Sequence, residues 1–176
     1  MIAIVAQFAV GPATPQTLDS IESFFLRSLL TQFVHLGTWH LVLNLVGLVI
    51  VAWGFGAMFT TGHWLSCLMA AVVWVAGYVS WIEPLNWYCG LSGALHMLFV
   101  VGLGLAFVAT RHTGPRAWPL WIMVLGLLFK LLLEWQAPGG PDTLLQGPVA
   151  LAAHRGGVLG GVIWLAVLCG LRRLHT

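Results

Sequence analysis

Four groups of polar residues interrupt stretches that are otherwise apolar. Gly90-Leu91-Ser92-Gly93 puts a serine where one such stretch begins. In the first turn of a helix, the Ser92 N–H has no intrahelical partner and lies at the positive end of the helix dipole. Such a serine can attack a carbonyl while its own N–H helps hold the resulting oxyanion. His154 stands early in another stretch, and Gly157 and Gly161 follow on its face at i+3 and i+7. A glycine stripe lets a neighbouring backbone approach closely, so that neighbour meets an imidazole able to take a proton near neutral pH. His40 and Asn44, at i and i+4, can both donate hydrogen bonds to developing negative charge, and His35 stands just before them. Lys130 and Glu134, again i and i+4, form the fourth group.

Each group has a plainer alternative. Small residues and a lone histidine serve helix packing, and His40 with Asn44 could form an interhelical hydrogen bond worth about 1 kcal/mol. Lys130 and Glu134 read as a mutually neutralising or snorkelling pair, with a proton relay as the sharper alternative. Arg155 lies about 100° around the helix from His154 and reads as structural or lipid-facing. Depth joins the first three groups, because Ser92, His154, His40 and Asn44 all fall near the same end of their stretches. A serine, a base and an oxyanion hole are the parts of an acyl-transfer site. No acidic residue is placed to complete a triad, so a Ser92–His154 dyad is expected.

The elements carrying these residues follow from composition. Of 176 residues, 60% are hydrophobic and 7% charged, and the mean hydropathy is +0.95. A soluble domain needs about 25% charged residues, and a disordered chain needs low hydrophobicity, so neither class fits. A formal charge of +2 without a basic stripe argues against nucleic acid. Cys67, Cys89 and Cys169 are far apart with no CxxC, so no metal, cofactor or disulfide framework is expected. Five stretches are long enough to span a bilayer: Thr38 to Thr60, His63 to Ile82, Leu91 to Thr110, Ala117 to Trp135 and Val149 to Leu171. Met1 to Val10 is too short to cross alone. It could be a signal peptide, though it lacks a basic start, or an interfacial segment; the end of a truncated first span is favoured. Without internal repeats, one domain over residues 1–176 is expected, an all-α bundle of transmembrane helices.

Arg111, Arg116, Arg172 and Arg173 mark the cytoplasmic side under the positive-inside rule. Segments 11–37, 83–90 and 136–148 then lie outside, as does the end of the bundle that carries Ser92. Trp39, Trp64, Trp81, Trp87, Trp118 and Trp135 sit near span ends as interfacial anchors. The segment Gln136 to Pro148, broken by Pro138, Gly139, Gly140 and Pro141, could be a mobile cap or a plain connecting loop.

The string His35-Leu36-Gly37-Thr38-Trp39-His40-Leu41-Val42-Leu43-Asn44, then Gly90-Leu91-Ser92-Gly93, then Ala153-His154-Arg155-Gly156-Gly157 with Gly161, resembles the rhomboid intramembrane serine proteases. The resemblance covers about residues 25 to 171 and implies a six-helix core with a water-filled cavity opening outward. It implies Ser92 as nucleophile, His154 as general base, and the Ser92 backbone with His40 and Asn44 as oxyanion hole. Gly90, Gly93, Gly157, Gly161, His35 and His96 would support them. Arg27 takes the place of the family's loop arginine, with Leu26 where a tryptophan is usual.

Within the family the chain is most similar to the rhombosortase branch, which has a histidine soon after GLSG, here His96; Met97 stands where that branch often has glycine. The resemblance implies a bacterial inner-membrane enzyme whose site faces the periplasm. Its protein substrates would carry a C-terminal tag of a Gly-Gly-type motif, a hydrophobic helix and a basic end. The alternatives are a general rhomboid protease cutting membrane helices, and an inactive rhomboid-like protein that binds them.

Overall fold

The computed structural model describes residues 11–12, 14, 17–110, 117–136 and 150–174, the last four by their backbone alone. The short segment Met1 to Val10, the arginines at 111 and 116, the side chains of Arg172 and Arg173, and residues 137–148 of the expected cap lie outside the described residues.

Hydrocarbon offers backbone amides no partner, so apolar runs of this length must satisfy them internally, as helices. Every regular element among the described residues is a helix. Helix α1 is Phe24–Thr31. Helix α2, Thr38–Phe55, continues into a 3-10 turn, Gly56–Met58. Helix α3, Thr61–Gly77, continues into a π-helical turn, Tyr78–Ile82. Helices α4, Ser92–Ala109, α5, Trp118–Gln136, and α6, Leu151–Leu174, complete the elements of the described residues. Among the described residues, five segments are long and apolar enough to cross a membrane: Thr38–Met58, Thr61–Ile82, Ser92–Ala109, Trp118–Gln136 and Leu151–Gly170. They coincide with the five expected stretches to within a few residues. Caps explain two helix starts: the Ser23 hydroxyl accepts the Leu26 N–H at 3.4 Å, and the Thr60 hydroxyl accepts the His63 N–H at 3.3 Å.

Helix α4 is the centre of the bundle. Ala94, Leu98 and Val101 on it are fully buried, whereas α5 has no buried residue. Outward-facing Val49, Trp53, Leu65, Leu125 and Phe129 are exposed, as lipid-facing side chains must be. Lipid tails are as apolar as leucine, so close packing and hydrogen bonds, rather than water exclusion, hold such helices together.

Glycines on α6 make that packing close. Gly157 lies against the Gly93 carbonyl, and a Cβ at Gly161 would come 2.7 Å from the Val100 Cβ. Gly156 and Gly160 face the other way, under the Tyr78 and Trp74 rings of the α3 segment. The Trp74 indole N–H donates to the Gly156 carbonyl at 2.7 Å. Helix α6 is thus wedged between α3 and α4, with its most extensive contact on α4.

The obstacle at Gly157 is backbone, which cannot rotate aside. Gly157→Ala is expected to destabilise the bundle by about 1–3 kcal/mol. Gly54→Ala, where a Cβ meets nothing within 4 Å, should cost no stability. Unfolding of both variants in detergent, followed by circular dichroism, checks this.

Candidate active site

The starts of α2, α4 and α6 and the end of α5 meet at one end of the bundle, and α1 braces the segment leading into α4. The Thr31 hydroxyl donates to the Tyr88 carbonyl at 2.5 Å, and the Gly90 N–H donates to the Thr31 carbonyl at 3.0 Å. The Tyr88 hydroxyl donates to the Gly90 carbonyl at 2.7 Å, and burial raises its pKa, so it remains a donor. Gly90 has φ +89°, a conformation L side chains rarely adopt, and the His40 ring occupies the place of its missing Cβ. This pinned turn delivers Ser92 as the first residue of α4, an end that no side chain caps.

Across the close contact between α4 and α6, His154 Nε2 lies 2.9 Å from Ser92 Oγ. The imidazole is 5% exposed and stacks on His96, with ring centroids 4.3 Å apart and 22° between planes. His96 is itself held, its Nδ1 donating to the Ser92 carbonyl at 2.7 Å. Gly93 and Gly157 permit the approach, since a Cβ at Gly93 would come 2.8 Å from the Ala153 carbonyl oxygen.

His40 accepts the Leu36 N–H on Nδ1 at 3.3 Å, which leaves the proton on Nε2. That Nε2 faces Gly90, 2.7 Å from where a Cβ would sit. The His35 ring meets His40 edge-on at 5.1 Å. Burial, then the neighbouring His40, lowers the His35 pKa to about 4, so it stays neutral at physiological pH. Asn44 donates one amide hydrogen to the His40 carbonyl at 2.8 Å, leaving the second unspent by that bond.

His40, Asn44, Ser92, His96 and His154 line one cavity of about 840 Å³. Its polar end holds His40, Asn44, Ser92, Lys130, Glu134 and His154, and its walls continue along the helices past Ile50, Val51, Phe99 and Met123. Ser92 and Phe99 are separated by about 10 Å of helix rise, so the apolar part reaches well below the serine. Cys89 also lines the cavity, but burial pushes its thiol up to about 12, which makes it a poor nucleophile.

One expectation is corrected. An acidic residue does reach the histidine: both Glu134 carboxylate oxygens lie against His154 Nδ1, at 3.0 and 3.1 Å. Glu134 also keeps its ion pair with Lys130, whose ammonium is 3.4 Å from His154 Nδ1. Of the two readings of Arg155 the structural one fits: it pairs with Glu83 through Nε at 3.2 Å and through a second guanidinium nitrogen. The depth argument that grouped Ser92, His40, Asn44 and His154 applied equally to Glu134, two residues from the end of α5. Its i, i+4 partner hid this.

Fold and site together define a multi-pass membrane protein with a serine and a histidine in contact inside an apolar cavity. A family model described as the rhomboid domain matches residues 23–171, and the chain belongs to the rhomboid family. No curated protein and no solved structure matches it.

An alanine at position 90 must adopt a left-handed φ and displace the His40 ring. Gly90→Ala is expected to lower stability by about 1–2 kcal/mol. The variant's thermal midpoint against that of the unaltered protein measures the loss.

Proposed function

We propose that this protein is an intramembrane serine endopeptidase in which Ser92 is the nucleophile and His154 the general base. The observation that carries the reading is the 2.9 Å contact between Ser92 Oγ and His154 Nε2 within the cavity. A substrate segment enters sideways from the bilayer and unwinds near small residues, since the carbonyls of an intact helix are already hydrogen-bonded. Ser92 Oγ bonds to the exposed carbonyl carbon as its proton passes to His154 Nε2. The oxyanion is held by the Ser92 N–H, His40 Nε2–H and the Asn44 amide. His154 returns the proton to the leaving amine as the C–N bond breaks. Water or another nucleophile then releases the acyl group by the same steps.

The substrate in this reading is the C-terminal tail of an exported protein, with a Gly-Gly-type motif, a hydrophobic helix and a basic end. Support comes from the likeness to the rhombosortase branch, with His96 stacked on His154. The apolar depth of the cavity suits a hydrophobic tail and equally an ordinary membrane helix, the substrate of a general rhomboid protease. The enzyme sits in a bacterial inner membrane with the Ser92 end toward the periplasm.

Ser92→Ala should abolish cleavage of a tagged substrate and labelling by a fluorophosphonate, with the protein still folded. Retained activity in a purified sample rejects the mechanism. His40→Ala should lower kcat by about 10²–10³-fold, the usual cost of one oxyanion donor. Exchanging a Gly-Gly-tagged tail for a generic membrane helix in one cleavage assay separates the two substrate classes; the tagged tail should be cut faster.

A further inference from the structure

We propose that Glu134 is the positioning residue of His154, completing a Ser92–His154–Glu134 relay in which the carboxylate sets the imidazole's tautomer. The inference rests on the protease reading and deepens it.

An ionised carboxylate only accepts hydrogen bonds. With both Glu134 oxygens 3.0 and 3.1 Å from His154 Nδ1, a bare lone pair there would face two acceptors. Nδ1 therefore carries a proton and donates it to Glu134. The neutral ring then has its free pair on Nε2, the atom 2.9 Å from Ser92 Oγ, and only this tautomer can take the serine proton.

Of the other groups facing His154, only Lys130 comes near Nδ1, at 3.4 Å; its closer partner is the Glu134 carboxylate, which leaves Nδ1 to the two nearer oxygens. His96 meets the ring by its face and sends its own Nδ1–H to the Ser92 carbonyl. Arg155 is turned to Glu83. His40 is engaged with the Leu36 N–H through Nδ1. During attack the Ser92 proton moves to Nε2, the Nδ1–H stays on the ring, and Glu134 stabilises the imidazolium without itself being protonated.

Glu134→Gln nearly preserves shape and removes the charge. The expected result is a fall in kcat of about 10²–10⁴-fold with KM within about twofold, because a tautomer shift acts on the chemical step and leaves substrate binding alone. Glu83→Gln removes the ion pair on the residue next to His154 and should leave kcat unchanged. Nitrogen-15 spectra of histidine-labelled native protein should show His154 protonated on Nδ1, and Glu134→Gln should lose that single tautomer. The proposal is overturned if the native ring is protonated on Nε2, if Glu134→Gln keeps its kcat, or if Glu83→Gln loses as much. The native spectrum decides the matter even when a variant does not fold. A native protein that neither cleaves nor labels would reject the protease reading instead, and the spectrum would still report on Glu134.

Discussion

Where α4 and α6 cross, Gly157 rests against the Gly93 carbonyl, with no side chain between the two backbones. The placement of Ser92 and His154 depends on that contact. Each is within three residues of one of the two glycines, Ser92 beside Gly93 and His154 before Gly157. A larger residue at either glycine forces the helices apart, and a hydrogen bond of 2.9 Å weakens steeply with separation. His96 works from the same crossing, since the helix turn that carries it also carries Ser92 and brings its ring onto His154.

The second constraint is the cost of polarity in hydrocarbon. Several of the charged and hydrogen-bonding groups at this end of the bundle find partners within and between helices. Glu134 accepts from Lys130 and His154, and Arg155 pairs with Glu83. Gln32, fully buried, donates to the Val72 carbonyl at 2.8 Å. Helix α5 buries no residue, so the Glu134–His154 bond is also one of the ties that hold its end at the site.

The turn before Ser92 shows how a short, non-spanning helix serves the site. Helix α1 has eight residues, with Leu26 and Leu30 exposed and Ser28 and Thr31 buried. Thr31 bonds both the Tyr88 carbonyl and the Gly90 N–H, so α1 fixes the path into α4. The left-handed backbone at Gly90 leaves room for His40, and thus one glycine shapes the turn and admits an imidazole.

Much of this was legible in the residues. Runs of about 20 apolar side chains must become helices in a membrane, whatever surrounds them, so the five spans were readable from their lengths. The serine, the histidines and the asparagine stood out because each is costly where it lies, and helical periodicity put Gly157 and Gly161 on the face of His154. Periodicity does not say which residue of another helix that face meets. Glu134 could be paired with Lys130 from spacing alone, since four residues along one helix are always neighbours. Its bond to His154, twenty residues away, and that of Arg155 to Glu83, seventy-two away, exist only because α3, α5 and α6 pack with a particular offset and rotation. Local sequence determines the helices and their faces; the side-chain volumes where helices cross decide which faces touch, and that decision turned a serine and a histidine into a pair with an acid behind it.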